Sequence, residues 1–308
     1  MNAAVGRIAA RAAASAAVLA LGALLSGFGA VRPSPLGVNS LGMADAQVAT
    51  GVGTTALYAN PAGMAQVRLN TLDMGTTREA GRTSLHVTSV DNTSDWGLAA
   101  GVGYSYDTDW TQDAPVRSGH DFRAGVAFGF QSDSGRLLFG GTGGYTNFDS
   151  IHPGTAGTPV AGESGWSGDL GLAVGMSAAR LGVVLRNAFQ VDPVSTPRRI
   201  ATGIGIVTGK FLAEAGGSWG SDANSGAIYR AGAAFQLGDE GVQLRAGWRW
   251  HEAGSASGSA RGHAVTGGLS WRTTAFSLDG SVAVEDVGRE SRVVGGVGLT
   301  FVLPYDVQ

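Results

Sequence analysis

The chain has 308 residues, a net charge of −3, no cysteine and 51 glycines. Near-neutrality gives no hint of a nucleic-acid surface, and the lack of cysteine excludes a disulfide framework, a thiolate metal site and a lipidated cysteine anchor. Only 15% of the residues are charged, yet hydrophobic content stops at 44%, so the apolar residues are dispersed by alternation, as a membrane β-barrel requires.

The first residues carry an export signal. Arg7 and Arg11 precede an uncharged Ala/Leu-rich run from Ala12 to Leu25, followed by Ser26, Gly27, Gly29 and Ala30. A charged start, a short apolar run and a small-residue exit form the plan of a secretory signal peptide. Residues 1–30 are therefore expected to be removed by cleavage near Gly29 or Ala30.

Residues 31–68 follow a different grammar. Leu41-Gly42-Met43-Ala44-Asp45-Ala46-Gln47-Val48-Ala49-Thr50 runs on to Thr55-Ala56-Leu57-Tyr58-Ala59-Asn60-Pro61-Ala62-Gly63-Met64-Ala65. Charges are few, strict alternation is missing, and Asn60-Pro61 is a turn signal. In such a turn Asn60 bonds nearby backbone amides, Pro61 presets φ, and Gly63 permits close approach to a wall.

From Leu69 to the C-terminus one pattern repeats: segments of about ten residues in which large apolar and small or polar residues alternate. Examples are Trp96, Leu98, Ala100, Val102, Tyr104 and Tyr106, and later Phe122, Ala124, Val126, Phe128 and Phe130. The pattern predicts about 14 strands, beginning near Leu69, Thr83, Asp95, His120, Arg136, Gly165, Ala179, Arg198, Phe211, Ala227, Gly241, Arg261, Thr274 and Arg289. Alternation is poorest in the first, second and ninth. Short links (131–135, 177–180, 208–210, 238–241, 272–274) alternate with longer ones (107–119, 149–164, 191–197, 220–226, 252–260), as tight periplasmic turns alternate with extracellular loops in outer-membrane barrels.

The two strand faces set the direction of burial. One carries Trp, Phe, Tyr, Leu, Val and Ile; the other is Gly, Ala, Ser and Thr with sparse charges. The second face is too poor in charge for a water-facing exterior, and it suits a crowded lumen. The expected fold is thus all-β: a transmembrane antiparallel barrel of about 14 strands over residues 69–308, with residues 31–68 folded into the lumen as a hatch.

The segment before the first strand resembles the hatch of the fatty-acid transporter (FadL) superfamily, through Gly42, Ala44 and the Asn60-Pro61-Ala62-Gly63 motif. The expected strand count is that family's too. The resemblance implies passive transport of small, fatty-acid-like hydrophobic molecules across the outer membrane. The chain is short for such a transporter, and its compactness is closer to the PorV/PorQ-like branch, which implies a non-transporting barrel that partners a secretion or surface-anchoring system.

Catalytic patterns are not found. His86, His120, His152, His251 and His263 have no metal-ligand spacing, and Gly51-Val52-Gly53 and Gly203-Ile204-Gly205 open no βαβ unit. No enzyme activity, cofactor, metal or nucleic-acid partner is expected. The expected partners are outer-membrane lipid, the barrel-assembly machinery, a hydrophobic small molecule, and, on the second reading, a secretion or surface protein. Charges predicted on the inward face are Arg123, Asp169, Arg186, Arg230, Arg245, Arg249, Asp279 and Glu285; they are expected to pair with one another or with hatch groups.

Overall fold

The computed structural model describes residues 37–79, 82–94, 97–109, 118–148, 163–191, 198–221, 226–238, 241–252, 262–287 and 290–303. The expected signal peptide lies outside these residues, as do Trp96, Trp110 and His152.

Fourteen strands form the wall: β1 (Asn70–Glu79), β2 (Arg82–Asp91), β3 (Leu98–Asp109), β4 (Ser118–Ser132), β5 (Gly135–Phe148), β6 (Glu163–Met176), β7 (Ala179–Val191), β8 (Arg199–Val207), β9 (Phe211–Gly220), β10 (Ile228–Leu237), β11 (Gly241–His251), β12 (Gly262–Arg272), β13 (Phe276–Val287) and β14 (Glu290–Leu303). Each pairs antiparallel with its sequence neighbours, and β1 pairs β14 from Asn70↔Leu303 to Glu79↔Val294, closing the barrel. Closure matters because hydrocarbon offers no partner to an unpaired strand edge. The loop alternation is broken at the seam. On the side of the longer loops, β1 joins β2 through residues 80–81, and β13 joins β14 through 288–289.

Burial runs opposite to that of a soluble protein. Leu85, Val102, Val126, Phe130, Ile204 and Val265 are exposed, whereas Asp169, Glu214, Arg245, Asp279 and Glu285 are buried. The side chain alternates faces along each strand, so the exposed apolar set points outward and the buried charged set inward. Aromatic groups gather toward both rims. Phe128 stacks on Phe139 with ring centroids 5.4 Å apart, and Phe130 meets both edge-on. At the other rim Trp219, Tyr229 and Trp250 form a row across β9–β11, and Tyr145 packs on Trp166. Two such belts are what the two membrane interfaces select.

Among the described residues the wall ladder has one register shift, at β6–β7. Gly168 pairs Phe189 and Leu170 pairs Leu185, so Asp169 faces three residues, Arg186 to Ala188, on β7. Asn187 there has φ 52°, a left-handed conformation that asparagine tolerates better than most residues, and its N–H donates to Asp169 Oδ1 at 2.8 Å.

Residues 37–69 lie within the wall. They contain helix α1 (Gly37–Leu41), helix α2 (Thr54–Ala59) and a 3₁₀ turn (Pro61–Ala65). Helix α1 packs on β1, β12, β13 and β14, α2 on β1–β4, and the 3₁₀ turn on β3–β6. Met43, Leu57 and Met64 are at most 1% exposed. Glycines on the inner face allow this. A side chain at Gly140 would strike the Pro61–Ala62 peptide within 2.6 Å, and one at Gly247 would strike the Met43–Ala44 peptide within 2.7 Å.

Replacing outward Val126 with arginine should lower barrel stability by about 2–4 kcal/mol, the cost of a cation facing lipid near the bilayer midplane. Val126→Ile should cost little. Urea unfolding in lipid vesicles distinguishes the two.

Candidate functional site

The interior segment has no strand ladder with the wall; its backbone bonds partly within itself, as Gly51 N does to Gln47 O, and partly to side chains aimed inward from the wall. Asn60 is the central tie. Its backbone is extended, at φ −158°, and its side-chain oxygen accepts from Ala62 N at 3.2 Å, capping the 3₁₀ turn in which Pro61 is the first residue. An asparagine cap followed by proline is a favoured helix start. The Asn60 amide then donates to Val48 O at 2.8 Å and to Leu172 O on β6 at 3.1 Å. One side chain therefore joins the turn, the preceding loop and the wall. Gly63 packs on Gly51 O, where an added Cβ would sit at 2.2 Å.

The other two motif positions lie on the opposite side of the lumen. Gly42 packs against Gly268 on β12 and its carbonyl accepts from Thr266 Oγ1 at 3.2 Å. Ala44 and Asp45 are both left-handed, with φ 53° and 61°. Such strain persists where surroundings hold it. Arg249 supplies the hold, bonding Asp45 Oδ2 at 2.8 Å through Nη1 and pairing with Glu285 through Nη2.

All eight expected luminal charges face inward, and they divide into groups. Arg245 donates to Asp279 Oδ1 at 2.7 Å and to Asn39 Oδ1 at 2.8 Å, so it links β11, β13 and α1; Ser270 and Ser277 complete the shell around Asp279. Arg123 spans Asp121 and Asp169, each at 3.1 Å, and stands 5.2 Å from the Tyr58 ring centroid. Burial, with Asp121 adding to it, pushes the Tyr58 hydroxyl up to about 12 despite the opposing charge of Arg123. That hydroxyl rests against Gly103, where a Cβ would meet it at 2.3 Å. Arg186 donates to Tyr58 O at 2.8 Å and Ala59 O at 2.9 Å, covering the last carbonyls of α2 as a cation at a helix C-terminus does. Arg230 has no ion pair among the described residues, and its Nε is buried without a hydrogen-bond partner.

Two like-charged pairs stand near the rim of the longer loops: Arg186↔Arg199 across β7–β8 and Arg230↔Arg249 across β10–β11. Like charges directly opposite are destabilising. Arg249 pairs with Asp45 and Glu285, and Arg199 donates to Ser218 Oγ, Ser218 O and Gly226 O.

Several contacts were beyond sequence reasoning. Glu214 on β9 accepts from the amides of Val48, Ala49 and Thr50 at 2.6, 3.0 and 2.8 Å and from Thr50 Oγ1 at 2.7 Å. Asp73 on β1 bonds His86 on β2 at 2.9 Å and Thr300 on β14 at 2.6 Å, tying the closure seam. Glu214 and His86 sit on strands whose alternation is poor, so their direction could not be read.

Two hollows adjoin the segment. One, of about 650 Å³, lies at the short-turn rim between Ala65–Arg68 and β2–β5, with Asn92, Arg136 and Leu138 in its lining. The other, of about 610 Å³, is set into the outer surface among Ala100, Val102, Ala124, Val126, Gly141 and Gly143. Gly101 and Gly125 form its floor, with Met64 and Leu57 directly behind them.

A closed barrel with an apolar exterior, aromatic belts and an occupied, charge-tied interior defines a transmembrane β-barrel. Its fold is that of the FadL-type barrels. The CymD monoaromatic hydrocarbon channel is similar at 14% identity and a TM-score of 0.68, over 87% of this chain and 98% of that one. The P. putida toluene transporter TodX is similar at 12% identity and 0.62, over 92% and 100%, and a Pseudomonas aeruginosa FadL homologue at 11% and 0.59, over 86% and 96%. No family model matches the chain, and no curated protein matches its sequence.

Asn60→Ala should lower the thermal midpoint, because it removes a cap worth about 1 kcal/mol and leaves two carbonyls without their donor. Asn60→Asp should lower it further, since a carboxylate would then face Val48 O and Leu172 O. Heat-modifiable gel mobility across a temperature series measures both.

Proposed function

We propose that this protein is a bacterial outer-membrane channel for passive passage of small hydrophobic molecules, with residues 31–68 serving as its hatch. The observation that carries the reading is the manner of closure. The segment filling the lumen is tied to the wall by side chains such as Asn60, Arg186, Glu214 and Arg249 rather than by a strand ladder. A ladder is extensive and cooperative; a few side-chain ties can exchange one by one. The fold shared with solved hydrocarbon channels supports the same reading.

Within that class, the inward arginines that stand opposite one another near the longer-loop rim favour molecules that carry a carboxylate on an apolar body, as a fatty acid does. Arg230 is the group with charge to offer, since Arg249 is engaged by Asp45 and Glu285 and Arg186 by backbone carbonyls. The hollows beside Ala65–Arg68 and over Gly101–Gly125 lie where a molecule would leave, toward the periplasm or through the wall.

A second reading, a PorV/PorQ-like barrel that serves a secretion or surface-anchoring partner, draws on the tight packing of the segment, in which Leu57 and Met64 are fully buried.

Titrating the detergent-folded protein with a fluorescent long-chain fatty acid should give saturable binding. Arg230→Ala should weaken it at least about tenfold, a loss of roughly 1.4 kcal/mol, while the methyl ester should bind both forms equally. Absence of binding by a folded barrel, with a periplasmic or surface protein co-purifying, would favour the second reading.

A further inference from the structure

Glu214 differs from the other inward acids in where its bonds go. Asp73, Asp169 and Asp279 accept from groups on the wall, namely His86 and Thr300, Arg123 and Asn187, and Arg245, Ser270 and Ser277. The four bonds of Glu214 all come from residues 48–50 of the interior segment. A carboxylate that accepts backbone N–H groups makes charge-assisted bonds, about twice as strong as neutral ones.

The wall is shaped to hold this group. Its cross-strand partners are both glycine, Gly205 on β8 and Gly232 on β10. A Cβ at the next inward position on β8, Gly203, would meet Glu214 Oε1 at 2.3 Å. Nearby, Val48 packs with Val184 and Ala201 in an apolar cluster. Glu214 is 4% exposed, and three successive amides and a hydroxyl take the place of the water its carboxylate gives up. Segment and charge are thus mutually dependent. Without Glu214, the amides of Val48, Ala49 and Thr50 lose their acceptor, and unsatisfied buried donors are costly.

We propose that Glu214 is the latch that holds residues 48–50 against the β8–β9 wall, so that removing its carboxylate frees this stretch while the barrel stays intact. It acts through the segment, as a positioning residue, and its bearing on permeation rests on the hatch reading above.

The absence of native cysteine allows a direct test. Ala49→Cys, 2% exposed in the parent position, reports opening by its reaction with a water-soluble maleimide in the detergent-folded protein, with heat-modifiable mobility as the check on the barrel. Glu214→Gln and Glu214→Ala should speed labelling at least about tenfold, equivalent to roughly 1.4 kcal/mol of closure, and Glu214→Asp should restore part of the protection. Labelling within twofold of the parent in both Gln and Ala variants, on an intact barrel, overturns the latch. Should those variants not fold, Thr50→Val keeps Glu214 and removes one of its donors: several-fold faster labelling supports the latch, and an unchanged rate overturns it. Planar-bilayer conductance separates the two ideas. Faster labelling with raised conductance supports both, whereas faster labelling at parental conductance keeps the latch and overturns the hatch reading.

Discussion

A chain segment enclosed by a membrane barrel must find partners for its backbone without joining the wall's ladder. The strands' own amides and carbonyls are mostly engaged with one another, because a closed ladder is what makes them stable in lipid. Residues 37–69 therefore bond partly among themselves and are tied to the wall by side chains. Arginine reaches carbonyls, as Arg186 does at Tyr58 and Ala59, and a carboxylate reaches amides, as Glu214 does at Val48, Ala49 and Thr50. Asn60 does both at once.

The same constraint accounts for the composition of the inner face. A segment that touches the wall closely needs wall positions without side chains, and Gly140, Gly171, Gly182 and Gly247 stand where it comes close. The large residues that would fill a soluble core are outside instead, where the surrounding solvent is hydrocarbon. Packing and electrostatics are then divided by face. Stability in the membrane is the work of the outer surface, while the state of the lumen is decided by a handful of polar ties.

Those ties are unevenly charged. At one end of the lumen acids and arginines balance, as in the Arg245–Asp279 pair. Near the rim of the longer loops, arginines face one another across β7–β8 and β10–β11.

Period-two alternation and turn spacing were enough, in the sequence, to define the barrel, its fourteen strands and the outward direction of its apolar face, because alternation is a local property that each strand must carry by itself. The signal failed where local pattern and tertiary role part company. Glu214 and His86 lie on strands with weak alternation, and Asp45 lies in a segment with none. The shift at β6–β7 was hidden because two extra residues on β7 leave the alternation in phase. Which charge meets which partner was never local: Arg249 finds Asp45 across a separation of 204 residues. Only closure of the barrel around the segment brings such groups within bonding distance, so the sequence determined the wall, and the tertiary structure decided how the lumen is held.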